Sequence, residues 1–175
     1  MKKNGFTLVE LLTVIFIIAL ISGISYINFG DIRDQLALKR AVYQLAQDLR
    51  RAQEMAMSAT KLEGCQLAKG YGIYIDRIAN SKNYTLYGDV NGDENYSSGN
   101  DCIIKSIVIQ EKGVVIKQIN NTASANTVSI NFKPPNPDTK INTLNTGQNT
   151  AEIVLALGSK TKIVVVNTIG MIGVK

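Results

Sequence analysis

The feature that most constrains this chain is an apolar run near its N-terminus. Residues 6–29 include one charged residue, Glu10, and no proline. An α-helix of this length extends about 36 Å, since each residue adds about 1.5 Å, and the hydrocarbon core of a bilayer is about 30 Å thick. The run is therefore predicted to span a membrane once. Lys2 and Lys3 precede it, and the positive-inside rule keeps them on the cytoplasmic side.

The order of residues at the start of this run differs from that of a cleavable secretory signal. Such a signal has an apolar region of about 7–15 residues that ends in small residues, whereas here the small residue Gly5 stands before the apolar run. Glu10 is the second unusual feature, because an unpaired carboxylate in lipid costs about 2–3 kcal/mol or more. Glu10 lies either at the headgroup level in contact with water, or in the membrane with a specific partner.

The residues at this junction carry a resemblance to a known family. Over residues 5–10 the sequence reads GFTLVE, with a basic leader before it and a long apolar segment after it. This pattern resembles the class III leader of type IV pilins and type II secretion pseudopilins. The resemblance implies that a prepilin peptidase cleaves between Gly5 and Phe6, and that Phe6 is then N-methylated. It also implies that Glu10 serves assembly, by pairing with the amine of Phe6 in an adjacent subunit.

The same resemblance implies partners and a location. The implied partners are other pilins or pseudopilins, bound through the N-terminal helix, together with the prepilin peptidase and an inner-membrane assembly platform. The implied location is the inner (cytoplasmic) membrane, crossed once, with the globular domain on the exported side. After assembly the subunit would belong to an extracytoplasmic filament.

Length and composition predict one domain on a membrane stalk. The predicted divisions are a leader at 1–5, a transmembrane and assembly helix at 6–29, its amphipathic continuation at 30–63, and a β-rich domain at 64–175. The formal net charge of +5 is small, so it is weak evidence for nucleic-acid binding. The chain has no histidine, no Gly-x-Ser-x-Gly elbow and no phosphate-binding glycine loop, and it is predicted not to be an enzyme.

The hydrophobic periodicity changes once along the chain. Apolar residues after residue 30 repeat at steps of three and four and predict one buried helix face: Leu38, Val42, Leu45, Leu49, Ala52, Ala56 and Ala59. Strands are predicted at 71–75, 84–87, 102–109, 114–119, 128–132, 151–157 and 161–166, with a short one within 169–174. Residues 138–150 are predicted to form a surface loop. A helix followed by strands, without alternation, predicts an α+β fold.

This order of elements narrows the resemblance. The amphipathic helix, the loop at 89–101 and the terminal strand are similar to the H-type minor pseudopilin domain of type II secretion, which also occurs in minor pilins that assist DNA uptake. The resemblance implies a long N-terminal α-helix packed on an antiparallel two-sheet β domain. DNA-binding members carry a basic motif near the C-terminal glycine, whereas residues 170–173 here read GMIG. That difference disfavours nucleic-acid binding through this motif.

The function that we predict is a non-enzymatic structural subunit, a minor pseudopilin of a type II secretion pseudopilus, and two alternatives stay open. One is a minor pilin of a type IV pilus or a DNA-uptake filament. The other belongs to another class, a single-pass anchored calcium-binding or adhesive domain that never polymerises.

The two cysteines, Cys65 and Cys102, both follow the predicted span and therefore lie on the exported, oxidising side. Cysteines in such a compartment usually pair, so a disulfide is predicted, with two buried free thiols as the alternative.

A metal site is the remaining candidate feature. Oxygen ligands suited to calcium are spaced along the loop at 89–101: Asp89, Asn91, Asp93 and Asp101. The match to an EF-hand loop is poor, since Glu94 occupies the position of the invariant glycine and Asn100 that of the bidentate glutamate. A turn rich in Asx and glycine residues, without an ion, is the alternative.

Overall fold

The computed structural model describes residues 5–58, 60, 65, 68–134, 138–142 and 144–175, and for residues 25–29 it describes the backbone alone. The chain divides into two compact units, Met1–Leu36 and Ala37–Lys175. Within the described residues there are one helix and nine strands: α1 (Leu8–Met57), β1 (Gly70–Asp76), β2 (Asn83–Asp89), β3 (Cys102–Val108), β4 (Val115–Asn120), β5 (Thr127–Lys133), β6 (Asp138–Ile141), β7 (Thr150–Leu157), β8 (Lys160–Asn167) and β9 (Ile172–Val174).

The first unit consists of the chain start and the N-terminal part of α1. Among the residues that the structure describes, no helix is found that combines the length and the apolarity needed to cross a membrane. The predicted span at 6–29 includes residues 25–29, whose side chains lie outside the described part. Residues 1–4 of the predicted leader also lie outside it.

The part of α1 within the second unit forms one wall of the core. The predicted stripe is its buried face, with every member at 2% exposure or less: Leu38, Val42, Leu45, Leu49, Ala52 and Ala56. Ala59, the last member of the predicted stripe, lies outside the described residues. The helix ends at Met57. The boundary predicted at residue 63 falls within 61–64, which also lie outside them.

Two antiparallel sheets supply the rest of the core. One sheet has the strand order β3-β2-β1-β5-β6 and the other β4-β7-β8-β9. Apolar residues from both sheets join the helix in one cluster, among them Ile73 and Ile130 from the first sheet and Ile153 and Val164 from the second. The predicted α+β fold, a long helix packed on a two-sheet β domain, is confirmed.

One predicted boundary differs from the structure. The predicted surface loop at 138–150 begins with a strand, β6, which pairs Ile141 with Ile130 and Thr139 with Phe132. The prediction was wrong there because it weighed the polar composition, whereas the alternate residues Thr139 and Ile141 are buried. At the C-terminus, β9 lies within the predicted stretch 169–174, and Gly170, with φ of 86°, turns the chain before it.

Candidate functional site

The start of α1 is built around Thr7 and Glu10. The Glu10 carboxylate accepts hydrogen bonds from the Thr7 backbone N–H at 2.8 Å and from the Thr7 hydroxyl at 2.7 Å. In return the Glu10 backbone N–H donates to the Thr7 hydroxyl oxygen at 3.3 Å. This is a capping box, which satisfies N–H groups that the first turn of a helix leaves free.

This capping box was not predicted from the sequence. Its signal was present, since Thr7 stands three residues before Glu10 at the head of an apolar helix. The consequence for Glu10 is chemical: before any second chain is bound, its carboxylate already has donors within its own chain. A partner that binds Glu10 must therefore compete with Thr7 or use the remaining acceptor positions of the carboxylate.

The surface around Glu10 is apolar and exposed. From Phe6 to Ile24, every large hydrophobic side chain is between 52% and 88% exposed. Exposed apolar patches of such extent mark interaction with proteins or membranes. Gly5 and Phe6 precede the helix and are exposed as well, so the helix does not cover the peptide bond between them.

The comparison with known families concerns this same segment. Residues 1–26 match the family model of the prokaryotic N-terminal methylation motif. The chain carries a type IV pilin-like leader. The match includes the predicted cleavage bond, Glu10 and most of the exposed apolar surface of the pilin-like helix. Searches of curated proteins and of solved structures found no match to this chain.

A disulfide joins Cys65 and Cys102, whose Cα atoms are 5.7 Å apart, and this is the predicted pairing. Cys65 lies in the connection between α1 and β1, and Cys102 is the first residue of β3. The bridge passes close to Gly88 of β2, where an added Cβ would come within 2.9 Å of the Cys102 sulfur. Glycine at that position therefore leaves room for the bridge.

The loop that follows β2 is organised by aspartate side chains. Asp89 is 2% exposed, and its carboxylate accepts hydrogen bonds from the backbone N–H groups of Gly92 at 2.6 Å and Glu94 at 3.0 Å. The Asn131 side-chain amide donates to the same carboxylate at 3.0 Å. A buried carboxylate with three donors satisfies the requirement that a buried charge be hydrogen-bonded.

Two further aspartates close the same loop. Asp101 accepts hydrogen bonds from the backbone N–H groups of Val90 at 3.1 Å and Ser97 at 2.6 Å. The Asn95 backbone N–H donates to Asp93 at 2.8 Å and lowers the pKa of that carboxyl group. The Asn91 side-chain oxygen accepts from the Asp93 backbone N–H at 3.0 Å.

These hydrogen bonds bear on whether the loop can bind calcium. All four predicted ligands, Asp89, Asn91, Asp93 and Asp101, lie in this loop, and each uses side-chain oxygen to hold backbone N–H groups. In the described part of the chain, no group of three or more His, Cys, Asp or Glu side chains is arranged to hold a metal ion. Calcium binding stays a prediction, because an ion would have to displace some of these hydrogen bonds or use the acceptor positions that they leave open.

The loop also covers part of the outer face of the five-stranded sheet. The Tyr96 ring stacks on Tyr74 of β1 at a centroid distance of 4.6 Å and meets the edge of Tyr87 of β2 at 5.3 Å. The Ser129 hydroxyl oxygen accepts from the Tyr96 backbone N–H at 3.1 Å and hydrogen-bonds the Tyr87 hydroxyl at 2.7 Å. This tyrosine cluster was not predicted, since its members lie apart along the chain.

The C-terminal GMIG motif lies against the helix of the second unit. The Gln53 amide donates to the Gly170 carbonyl at 3.1 Å, and the Arg50 guanidinium donates to the Ile172 carbonyl at 3.3 Å. Lys175, five residues beyond Gly170, pairs with Glu152 at 3.3 Å. The motif thus contacts the protein's own helix through its backbone carbonyls.

Proposed function

We propose that this chain is a non-enzymatic structural subunit, a minor pseudopilin of a type II secretion pseudopilus. In this proposal the prepilin peptidase cleaves it after Gly5, Phe6 is N-methylated, and the N-terminal helix assembles it into the filament. The observation that carries the proposal is the match of residues 1–26 to the N-terminal methylation motif, together with the exposed apolar surface of α1 within that range.

The exposed apolar surface must be covered both before and after assembly. Leaving one large aliphatic or aromatic side chain in water costs about 1.5–3 kcal/mol relative to burying it. Between Phe6 and Ile24 these side chains are exposed on all sides of the helix, so a single neighbour can cover only part of them. Before assembly the lipid of the inner membrane covers this surface, and we include a single membrane span at 6–29 in the proposal. In the filament, helices of other subunits replace the lipid.

Glu10 gives this assembly its electrostatic selectivity. A carboxylate among apolar helices is tolerated only when a partner compensates its desolvation. Cleavage after Gly5 creates such a partner, an α-amine at Phe6 with an ordinary pKa near 8. We propose that the amine of a neighbouring subunit binds the face of the Glu10 carboxylate that Thr7 does not use.

A pilus minor pilin is the second candidate, because the same leader serves both systems. The GMIG motif at 170–173 lacks basic residues, which favours the secretion system over DNA uptake. A deletion strain separates the two, since loss of a pseudopilin blocks protein export, whereas loss of a minor pilin blocks piliation or transformation. The anchored calcium-binding or adhesive domain is distinguished from both by whether the leader is processed.

Processing is the direct test of the proposal. The full chain is expressed with and without a prepilin peptidase, extracted from membranes and analysed by intact-mass and N-terminal peptide spectrometry. We expect a mature chain that begins at Phe6 and carries one added methyl group. A Gly5→Val variant should stay uncut, because the branched side chain blocks the cleavage bond. An intact Met1 in the wild-type chain, with active peptidase present, would remove the filament proposal.

Assembly is tested with a Glu10→Gln variant, which removes the charge and keeps the shape of the side chain. We expect normal cleavage and about tenfold less incorporation into filaments, since the ion pair with Glu10 is lost and the Phe6 amine of the neighbouring subunit is left uncompensated. Glu54→Gln is the matched control, because Glu54 is an exposed carboxylate of the same helix in the second unit. Wild-type incorporation of Glu10→Gln would show that the charge is not required.

Calcium binding by the loop at 89–101 is tested separately. If the ion binds, chelation should lower the melting temperature, and Asp93→Ala should abolish the difference. An equal melting temperature with calcium and with chelator would show that the loop is a turn that binds no ion.

A further inference from the structure

A depression on the outer face of the five-stranded sheet is not used by the proposed filament contacts. Its volume is about 230 Å³. Two tyrosine rings form one wall, and the rest of the lining is mostly polar and includes one carboxylate. The residues that matter here are Tyr74, Tyr96, Asp76, Asn83, Thr85 and Ser106. All of them belong to the second unit.

The strand register explains why these side chains meet. Thr85 of β2 pairs with Tyr74 of β1 on one side and with Ser106 of β3 on the other. The three side chains therefore form one row across neighbouring strands on the same face of the sheet. Asp76 and Asn83 lie two residues further along β1 and β2, on the same face.

The aromatic wall is fixed before any ligand arrives. Tyr96 is held by its stacking on Tyr74 and by the hydrogen bond from its backbone N–H to Ser129. Asp76 is also oriented, because one of its oxygens accepts from the backbone N–H groups of Ile78 at 3.0 Å and Ala79 at 2.9 Å. A site in which side chains already have fixed positions loses less entropy on binding.

The chemistry of the lining selects a class of ligand. No lysine or arginine lines the described depression, so an anionic ligand has no cation to pair with there. The amide, hydroxyl and phenol groups supply both hydrogen-bond donors and acceptors, and the carboxylate is an acceptor. A ring face beside such groups suits a molecule with an apolar C–H face and a rim of hydroxyl groups.

We propose that this depression is a binding site for a neutral saccharide, which stacks on the tyrosine wall and hydrogen-bonds to Asp76, Asn83, Thr85 and Ser106. Because β3 is the edge strand of the sheet, the depression is open past Ser106, and a longer saccharide can extend over that edge. The site is independent of the leader, so its function adds surface recognition to the proposed filament subunit.

A small organic cation is the ligand that must be distinguished from a saccharide. Tyrosine faces beside a carboxylate also attract quaternary ammonium groups. Neutral polar groups outnumber the single carboxylate in the lining, and this favours the saccharide. The two ligands are separated by titrating both.

The experiment uses the full chain in neutral detergent micelles that lack a sugar headgroup. Cellotriose, chitotriose and maltotriose are the saccharide probes, and tetramethylammonium is the cationic probe. Saturation-transfer NMR detects contact, and chemical-shift titration gives the dissociation constant. We expect at least one trisaccharide to saturate with a dissociation constant on the order of 1 mM, as for a shallow site that buries one or two rings. Tetramethylammonium should neither saturate nor displace it.

Two variants locate the binding. Tyr96→Leu keeps an apolar side chain and removes the ring face, and we expect about tenfold weaker binding. Thr85→Val keeps the shape and the strand propensity but removes the hydroxyl, with an expected loss of about fivefold. Tyr43→Leu is the matched control, since Tyr43 is 53% exposed on α1 and outside the depression.

Several results would overturn the proposal: no saturation by any of the three saccharides, displacement by tetramethylammonium, or equal weakening by Tyr43→Leu. Unchanged affinity in Thr85→Val, with its near-ultraviolet spectrum intact, would also overturn it, so a misfolded Tyr96→Leu would not leave the question open. None of these outcomes alters leader processing or filament assembly, which are tested separately.

Discussion

The two halves of α1 use the same kinds of side chain in opposite ways. In the first unit Leu11, Leu12 and Ile15 are 59–61% exposed, whereas in the second unit Leu38, Leu45 and Leu49 are 0–2% exposed. Helix propensity does not account for this difference, because the exposed half is rich in isoleucine and the buried half in alanine, and both halves are helical. The difference lies in what surrounds the helix, because in the second unit two sheets cover it.

This contrast shows that a run of hydrophobic residues predicts burial. It does not predict whether the chain itself, another protein or a membrane covers them. In the second unit one face of the helix is apolar, and the chain itself buries that face. In the first unit apolar residues surround the helix, which is typical of helices that lie in membranes or among other helices. The predictions below test whether the two halves contribute to stability as differently as their exposure indicates.

The largest expected effect comes from matched double truncations. Leu45→Ala with Leu49→Ala should lower the free energy of unfolding of the β-rich unit by about 5 kcal/mol or more, because each buried leucine leaves a cavity. Leu11→Ala with Leu12→Ala should change it by less than about 0.5 kcal/mol. Denaturant unfolding followed by near-ultraviolet circular dichroism measures both. Equal losses would show that the two halves do not differ in this way.

The next effect concerns the disulfide. Cys65→Ser with Cys102→Ser should lower the free energy of unfolding by about 4 kcal/mol, the chain-entropy value for a loop of this length. The sequence separation of the two cysteines is 37 residues. The urea midpoint of the variant, compared with that of the oxidised wild type, measures the loss. Chemical reduction of the wild type should give a similar midpoint, and a stable reduced protein would contradict the prediction.

The third effect depends on pH and on buried tyrosines of the second unit. Burial raises the pKa of Tyr84 and of Tyr87. Their contribution to stability is complete below a pH of about 10 and decreases above it, because the unfolded tyrosines release protons that the folded ones keep. Each should steepen the alkaline loss by about 1.4 kcal/mol per pH unit.

Above a pH of about 10, Tyr84→Phe should reduce the loss of unfolding free energy by about 1.4 kcal/mol per pH unit. Tyr43→Phe, at an exposed helix position, should leave that loss unchanged. Tyr84→Phe should also lower stability at neutral pH by about 1–2 kcal/mol, because its hydroxyl donates to Asp48 at 2.5 Å. Urea unfolding at a series of pH values measures both quantities. An unchanged slope would show that Tyr84 does not keep its proton in the fold.

The smallest effect concerns the first turn of α1. Thr7→Val should weaken the capping box by about 1 kcal/mol and leave the melting temperature of the β-rich unit unchanged. Hydrogen exchange of the amides at residues 8–11, in micelles, should accelerate about fivefold. Thr13→Val is the control, because the Thr13 hydroxyl donates only to the Glu10 carbonyl. Equal protection of these amides from hydrogen exchange in both variants would show that the capping box does not stabilise the first turn.

Much of the fold could be predicted from the sequence because the patterns that predict it lie within short stretches of the chain. The leader, the apolar run, the buried stripe from Leu38 to Ala56 and most strands follow from residue order and periodicity, and the pairing of Cys65 with Cys102 followed from their number and compartment. The short strand β6 was missed because its signal is only two alternating residues, Thr139 and Ile141. The capping box was missed although Thr7 and Glu10 are only three residues apart.

Contacts between residues that are distant in the chain were decided only by the tertiary structure. The sequence placed Asp89, Asn91, Asp93 and Asp101 in one loop, but only the fold showed their side chains bonding to backbone N–H groups. The same holds for the tyrosine wall, since Tyr74 and Tyr96 belong to separate segments and meet only when the loop crosses the sheet. The periodicity of the sequence determines on which side of a strand or helix a residue lies. The residues that it contacts on that side depend on strand order and on the path of the loops, and packing of the whole core sets both.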